Sequence, residues 1–240
     1  MKKIDVYPKY NRDRRSFLKA GGAGLAAAGF LLTGCSDDDD GGTPNPNPDP
    51  DPDPEVFDLG SGDLAVLNYA YALEQLEADF YAKVYNSFYA GITTQEQSIL
   101  TDIYYHEVIH RNFFKAAISG VASESQILPA LEFDYGDLDF NDRSAVLATA
   151  KALEDTGVGA YNGAGNLLKT PEYLLLAGKI VSVEARHAAA IRSLINPDSK
   201  DFAGDDIIDS SGLDTAKLPS EIIPIAADFI TTAFTANNLP

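Results

Sequence analysis

Between residues 62 and 196 apolar side chains return every three or four positions, the repeat of a helix that buries one face. The repeat is broken at Gly91, at Gly120, at the DYGD stretch over 134–137, and at Pro171 and Pro197. These breaks predict four helices over about 62–90, 94–119, 141–167 and 171–196. Thr94 with Gln97 three places on reads as a capping box, and Pro171 suits a first helical turn. Only a few residues separate the first helix from the second and the third from the fourth, so each pair is expected to form an antiparallel hairpin. Residues 120–140 are long enough to cross the bundle. The run LPSEIIPIAADFITTAFT (218–235) adds a short C-terminal helix. The expected fold is all-α: a four-helix bundle of two hairpins, one long crossover and a short helix at the end.

Heptad columns drawn along the inward seam contain an anomaly. The first helix gives Leu67, Glu74, Tyr81 and Phe88 beside Ala70, Glu77 and Val84. The second gives Leu100, Glu107 and Phe114 beside Ile103, His110 and Ala117. The third gives Leu147, Glu154, Tyr161 and Leu168 beside Ala150, Gly157 and Ala164. The fourth gives Ala177, Glu184 and Ile191 beside Ile180, His187 and Leu194. Every helix therefore carries one acidic layer between apolar ones. Two of the three histidines in the chain follow a glutamate by three places, Glu107/His110 and Glu184/His187, and such pairs share a helix face. His106 points off the seam and reads as a surface histidine.

Four carboxylates stripped of water in one layer would cost several kcal/mol each, to order of magnitude, unless their charge is neutralised. No Lys or Arg lies in that layer. Two divalent cations would balance four carboxylates, with two neutral imidazoles completing the ligand set. An oxygen-rich, thiol-free set suits iron or manganese better than structural zinc. The single cysteine, Cys35, lies ahead of the helices, so the folded part has no disulfide, no thiolate metal site and no thiol nucleophile. Gly157, Gly159, Gly163 and Gly165 weaken the third helix, and close helix packing or a channel for a small oxidant would account for them.

Charge and composition divide the chain into residues 1–35, 36–55 and 56–240. The first segment holds seven Lys/Arg against two Asp and leads into a Gly/Ala-rich apolar stretch too short for a comfortable membrane span. DRRSFLK, with Arg14 and Arg15, resembles a twin-arginine export signal, and LLTGC resembles a lipobox acylated at Cys35. Residues 36–55 are acidic and Pro-rich, the composition of a tether. The expected product is exported through the twin-arginine translocase and anchored by lipid in the cell envelope. Residues 56–240 carry a net charge of −15, which argues against nucleic acid and against electrostatic docking on anionic lipid.

LNYAYALEQLEADFY (67–81) and GKIVSVEARHAAAIRSL (178–194) resemble the ferritin-like di-iron carboxylate superfamily, and within it the exported ferritin-like domain and desiccation-related proteins. The resemblance rests on the two Glu-x-x-His motifs and on Glu74/Tyr81 and Glu154/Tyr161, each Tyr seven places after its Glu. It implies Glu74, Glu107, His110, Glu154, Glu184 and His187 as ligands of two iron ions, with manganese as the alternative metal. Glu77 faces the same seam and stays open as the first helix's ligand. Tyr81 and Tyr161 are implied to hydrogen-bond ligand carboxylates. The implied activity is oxidoreduction of ferroxidase or peroxidase type, drawing on an unidentified electron donor, since no cysteine is available for a rubredoxin-like one. A manganese-catalase-like enzyme and a non-enzymatic iron-binding, stress-protective lipoprotein are the alternatives; a homodimer is compatible with each.

Overall fold

A computed structural model describes residues 56–240; the leader, the tether, Arg14, Arg15 and Cys35 lie outside the described residues. Five helices dominate: α1 Gly62–Asn86, α2 Thr94–Ser119, α3 Arg143–Ala164, α4 Pro171–Ile195 and α5 Pro219–Ala227. α1 packs along α2 and α3 along α4, giving the two hairpins the loop lengths require. The only paired strands among the described residues are two-residue segments, β1 Phe57–Asp58 and β2 Phe234–Thr235. They run parallel and tie the two ends of the described chain together.

Local chemistry fixes the helix ends. α2 is capped one residue earlier than the sequence suggests: Thr93 accepts from the Glu96 amide, and Glu96 accepts in return from the Thr93 amide. The sequence offers two registers, Thr93/Glu96 and Thr94/Gln97. The first wins because Glu96 also receives the Arg143 guanidinium at 2.6 Å, a charged bond that Gln97 would make more weakly. Asp142 caps α3 through the Ala145 amide, so this helix starts at 143 rather than 141. Asp63, in the first turn of α1, accepts from the amides of Lys169 and Thr170 and so holds the α3–α4 connection. α1 stops at Asn86 because the chain turns there to bury Tyr89. α5 stops at Ala227, after which Asp134 bonds the Phe229 carbonyl and Thr231 bonds that of Glu132.

The crossover lies along α1, held by two buried amides one heptad apart. Asn68 donates to the carbonyls of Leu59 and Gln126 and accepts from the Leu128 amide. Gln75 donates to Pro129 and accepts from Leu131. Helix α1 is thereby covered on almost every side and has the longest buried run in the fold. Behind α3 and α4, Arg192 is 2% exposed and forks onto both Asp155 and Asp206, clamping the segment that follows α4.

Two glycines of α3 serve close packing against a loop rather than another helix. Gly159 and Gly163 lie under Lys217, on the irregular strand that leads into α5, and the Lys217 amide donates to the Gly159 carbonyl at 2.9 Å. A Cβ on Gly163 would overlap the Lys217 backbone carbonyl, whereas one on Gly178, in α4, would meet nothing. Gly163→Ala is therefore expected to destabilise the domain by about 1–3 kcal/mol, the usual range for overpacking. Gly178→Ala should stabilise it by up to about 1 kcal/mol through helix propensity. Thermal melting of the two variants checks the pair, and equal shifts would place the tail elsewhere.

Candidate metal centre

The seam of the bundle brings the acidic layer together. Glu74 comes from α1, Glu154 from α3, Glu107 and His110 from α2, and Glu184 and His187 from α4. All four carboxylates are fully buried, and both imidazoles nearly so. His110 Nδ1 lies 2.7 Å from Glu184, 3.5 Å from Glu74 and 3.7 Å from Glu107. His187 Nδ1 lies 2.8 Å from Glu107, 3.2 Å from Glu184 and 3.5 Å from Glu154.

Two four-residue groups result, Glu74–Glu107–His110–Glu184 and Glu107–Glu154–Glu184–His187. In each, one donor atom per residue falls within 4.8 Å of all the others. Glu107 and Glu184 belong to both groups, Glu74 and Glu154 to one each. The arrangement is that of two adjacent cation positions, with two carboxylates shared between them and one terminal carboxylate and one imidazole apiece.

The hydrogen bonds have the same symmetry. Tyr81 of α1 donates to Glu154 Oε1 at 2.6 Å, and Tyr161 of α3 donates through a short bond to Glu74 Oε1. Each tyrosine reaches the carboxylate of the opposite hairpin, fixing its orientation. Burial and the nearby carboxylates raise both phenols well above their ordinary value, so they remain donors. The other oxygens of Glu74 and Glu154, both oxygens of Glu107, one of Glu184 and His110 Nδ1 have no aligned hydrogen-bond partner. Buried polar atoms are rarely left so. These face one another around the two groups, close but not aligned as donor to acceptor.

Without cations the layer must hold protons. Burial raises Glu74 well above the carboxylate range and Glu154 to about 8. Burial works against charge on His110, yet the carboxylates of Glu107, Glu184 and Glu74 raise it to about 12; His187 is raised for the same reason. Burial also opposes ionisation of Glu107, but the two imidazoles hold it down at about 2.

Of the two α1 candidates, Glu74 enters a group and Glu77 enters neither. Glu77 is 3% exposed and fits against Gly157, where a Cβ would press on its carboxylate. Burial, then the surrounding carboxylates, raise it well above its usual range. Gly157 thus makes room for a fifth acid where α3 packs closely on α1.

His106 is exposed, as its off-seam position indicates, but it is not a bystander. Its Nδ1 lies 2.9 Å from His187 Nε2, and the two rings are nearly parallel, 12° apart. It backs the ring whose other nitrogen faces the carboxylates. Along one helix nothing signals this contact, because the partner ring reaches across from α4. His106-Glu107 with His110 also spells a two-histidine zinc motif. The fold separates those histidines, sending His110 inward and His106 to the outer side of His187.

A family model described as a ferritin-like domain matches residues 62–197, more than half of the chain and all four long helices. No curated protein matches the chain.

Proposed function

The chain belongs to the ferritin-like domain family, and on that premise we propose that its acidic layer holds two iron ions for oxidoreduction of ferroxidase or peroxidase type. The observation that carries this reading is the set of buried carboxylate and imidazole atoms left without aligned partners around two adjacent groups. A buried anionic layer in that state calls for cations. Glu107 and Glu184 would bridge the two positions, Glu74 with His110 would complete one, and Glu154 with His187 the other. Oxygen-rich coordination favours iron, with manganese as the competing metal. A bound pair would supply electrons to dioxygen or peroxide, or accept them from Fe(II). Around it, Tyr81 and Tyr161 hold the terminal carboxylates in place, His106 holds the His187 ring, and the apolar layers on either side exclude bulk water.

The same proposal places the domain outside the cytoplasm. Arg14 and Arg15 would route a folded precursor to the twin-arginine translocase, and acylation of Cys35 would anchor it. The motifs favour the exported, desiccation-related branch of the family. No described helix is long and apolar enough to cross a membrane, and the domain's negative charge repels anionic headgroups, so attachment would rest on the acyl chains. Electrons would come from Fe(II) itself or from a partner protein.

The test is elemental analysis of protein folded in its own cytoplasm, followed by anaerobic Fe(II) titration and assay of Fe(II) and peroxide turnover. Two ions per chain with turnover is the expected result. Two ions without turnover would leave a metal-binding protective protein. Well under one ion, with no Fe(II) uptake, would sink the proposal.

A further inference from the structure

The apolar layers on the two sides of the acidic layer are not alike. On the Tyr81 side the heptad positions hold Val84, Leu100, Ile103, Leu147, Ile191 and Leu194, with Ala150 the one alanine. On the Tyr161 side four positions, Ala70, Ala117, Ala164 and Ala177, are alanine, one from each helix. All four line a crevice that runs between the helices and has Tyr161 in its wall. Tyr161 is the residue whose hydroxyl bonds Glu74, and Leu73, next to Glu74, lines the crevice as well. The crevice thus adjoins the Glu74–His110 half of the candidate centre.

No charged side chain lines it, and its free volume is about 30 Å³. That exceeds the roughly 10–15 Å³ that one water-sized sphere needs, but it suits a molecule of two or three heavy atoms at most. A water bound there would want two to four polar partners. The Tyr161 hydroxyl is committed to Glu74, which leaves the unpaired Tyr69 hydroxyl as the one free buried donor in the wall. A small space with an almost wholly apolar wall favours an uncharged apolar diatomic over water or peroxide.

We propose that this alanine-lined crevice is the binding space and route by which dioxygen reaches the ion pair. The proposal rests on the di-iron reading above and gives it an oxidant. With two Fe(II) ions bound, dioxygen would take one electron from each, leaving two Fe(III), and with two protons from solvent would depart as hydrogen peroxide.

Xenon-pressurised crystals of metal-loaded protein test the space directly, since xenon occupies dry apolar cavities regardless of redox chemistry. Xenon is expected in the crevice of the wild type. Ala177→Leu, and Ala117→Leu should the first variant fail to fold, are expected to lose it while keeping metal. Both alanines are only half-buried, so a larger side chain has room to adjust. In the same variants, oxidation of Fe(II)-loaded protein by dioxygen should slow several-fold, and oxidation by added hydrogen peroxide should not. Three results would overturn the proposal: no xenon in the wild-type crevice, unchanged dioxygen kinetics in a filled variant, or equal slowing with both oxidants. Density for a longer apolar chain in the crevice of protein as purified would overturn it too, in favour of that ligand. Failure of the di-iron reading shows separately, as wild-type protein that takes up no iron whatever the xenon does.

Discussion

Glu184→Ala should empty both metal positions, where Glu74→Ala should empty one. Glu184 and Glu107 each supply an oxygen to both four-residue groups, while Glu74 and Glu154 supply one group each. Losing a shared carboxylate takes a ligand from both positions and removes the charge that holds two cations side by side. Losing a terminal one leaves the far group whole. Glu107→Ala should therefore behave like Glu184→Ala, and Glu154→Ala like Glu74→Ala. Glu77→Ala should keep both ions, because Glu77 lies outside both groups. Elemental analysis after anaerobic Fe(II) loading reads all five. Circular dichroism should find the helices intact, since each variant lowers the charge of a layer already too acidic for its surroundings. If Glu77→Ala loses as much metal as Glu74→Ala, the α1 ligand has been misassigned. If Glu184→Ala keeps one ion, the carboxylate is not shared.

Most of this centre was legible in the sequence because it rests on two simple regularities. A helix places i, i+3 and i+7 on one face, so Glu107/His110 and Glu184/His187 declare their common direction without any structure. A buried acidic layer also has few physical outcomes, which turns four heptad interruptions into a claim about cations. The choice between Glu74 and Glu77 was only partly legible, through the tyrosine seven places on that Glu74 shares with Glu154. Both lie on the seam, and what separates them is Gly157 on another helix, which leaves a berth for Glu77 away from both groups. His106 escaped for a similar reason, since its significance depends on which way the His187 ring turns. The hairpins and the crossover followed from loop lengths, but the path of the crossover did not. It depends on Asn68 and Gln75, two polar residues that look like surface positions until the segment over 126–131 lies on them. The short C-terminal helix was legible, but not its end at Ala227, because FITTAFT is as apolar as what precedes it. The FITTAFT backbone instead bonds with residues 132–134 and β1.

Raising the pH should destabilise the metal-free domain and leave the loaded one almost unaffected above neutrality. Glu154 titrates near 8 in the fold against an ordinary 4.5, and His110 near 12 against 6.5. In both cases the native state holds a proton that the unfolded chain releases earlier. Native protein therefore binds more protons than unfolded protein from about pH 4.5 upward, and its stability falls as pH rises. Glu107 has the opposite sign, because its folded value of about 2 lies below 4.5. Its contribution is present above about 4.5 and is lost as pH drops towards 2, so the apoprotein should be most stable in mildly acidic solution. Cations replace the retained protons. Loading at neutral pH should thus release protons into a weakly buffered solution. Two sites filled at a thousand times their dissociation constants would add about 4 kcal/mol each. At roughly 2–4 °C per kcal/mol for a domain of this size, melting should rise by about 16–32 °C. The gap between loaded and metal-free protein should widen from about pH 5 to about pH 8, because only the metal-free form weakens over that range. Melting curves at several pH values, with and without Fe(II) under anaerobic conditions, measure it. An apoprotein whose melting temperature stays level or climbs over that interval would mean that the layer does not hold its protons, and that the carboxylates are neutralised in some other way.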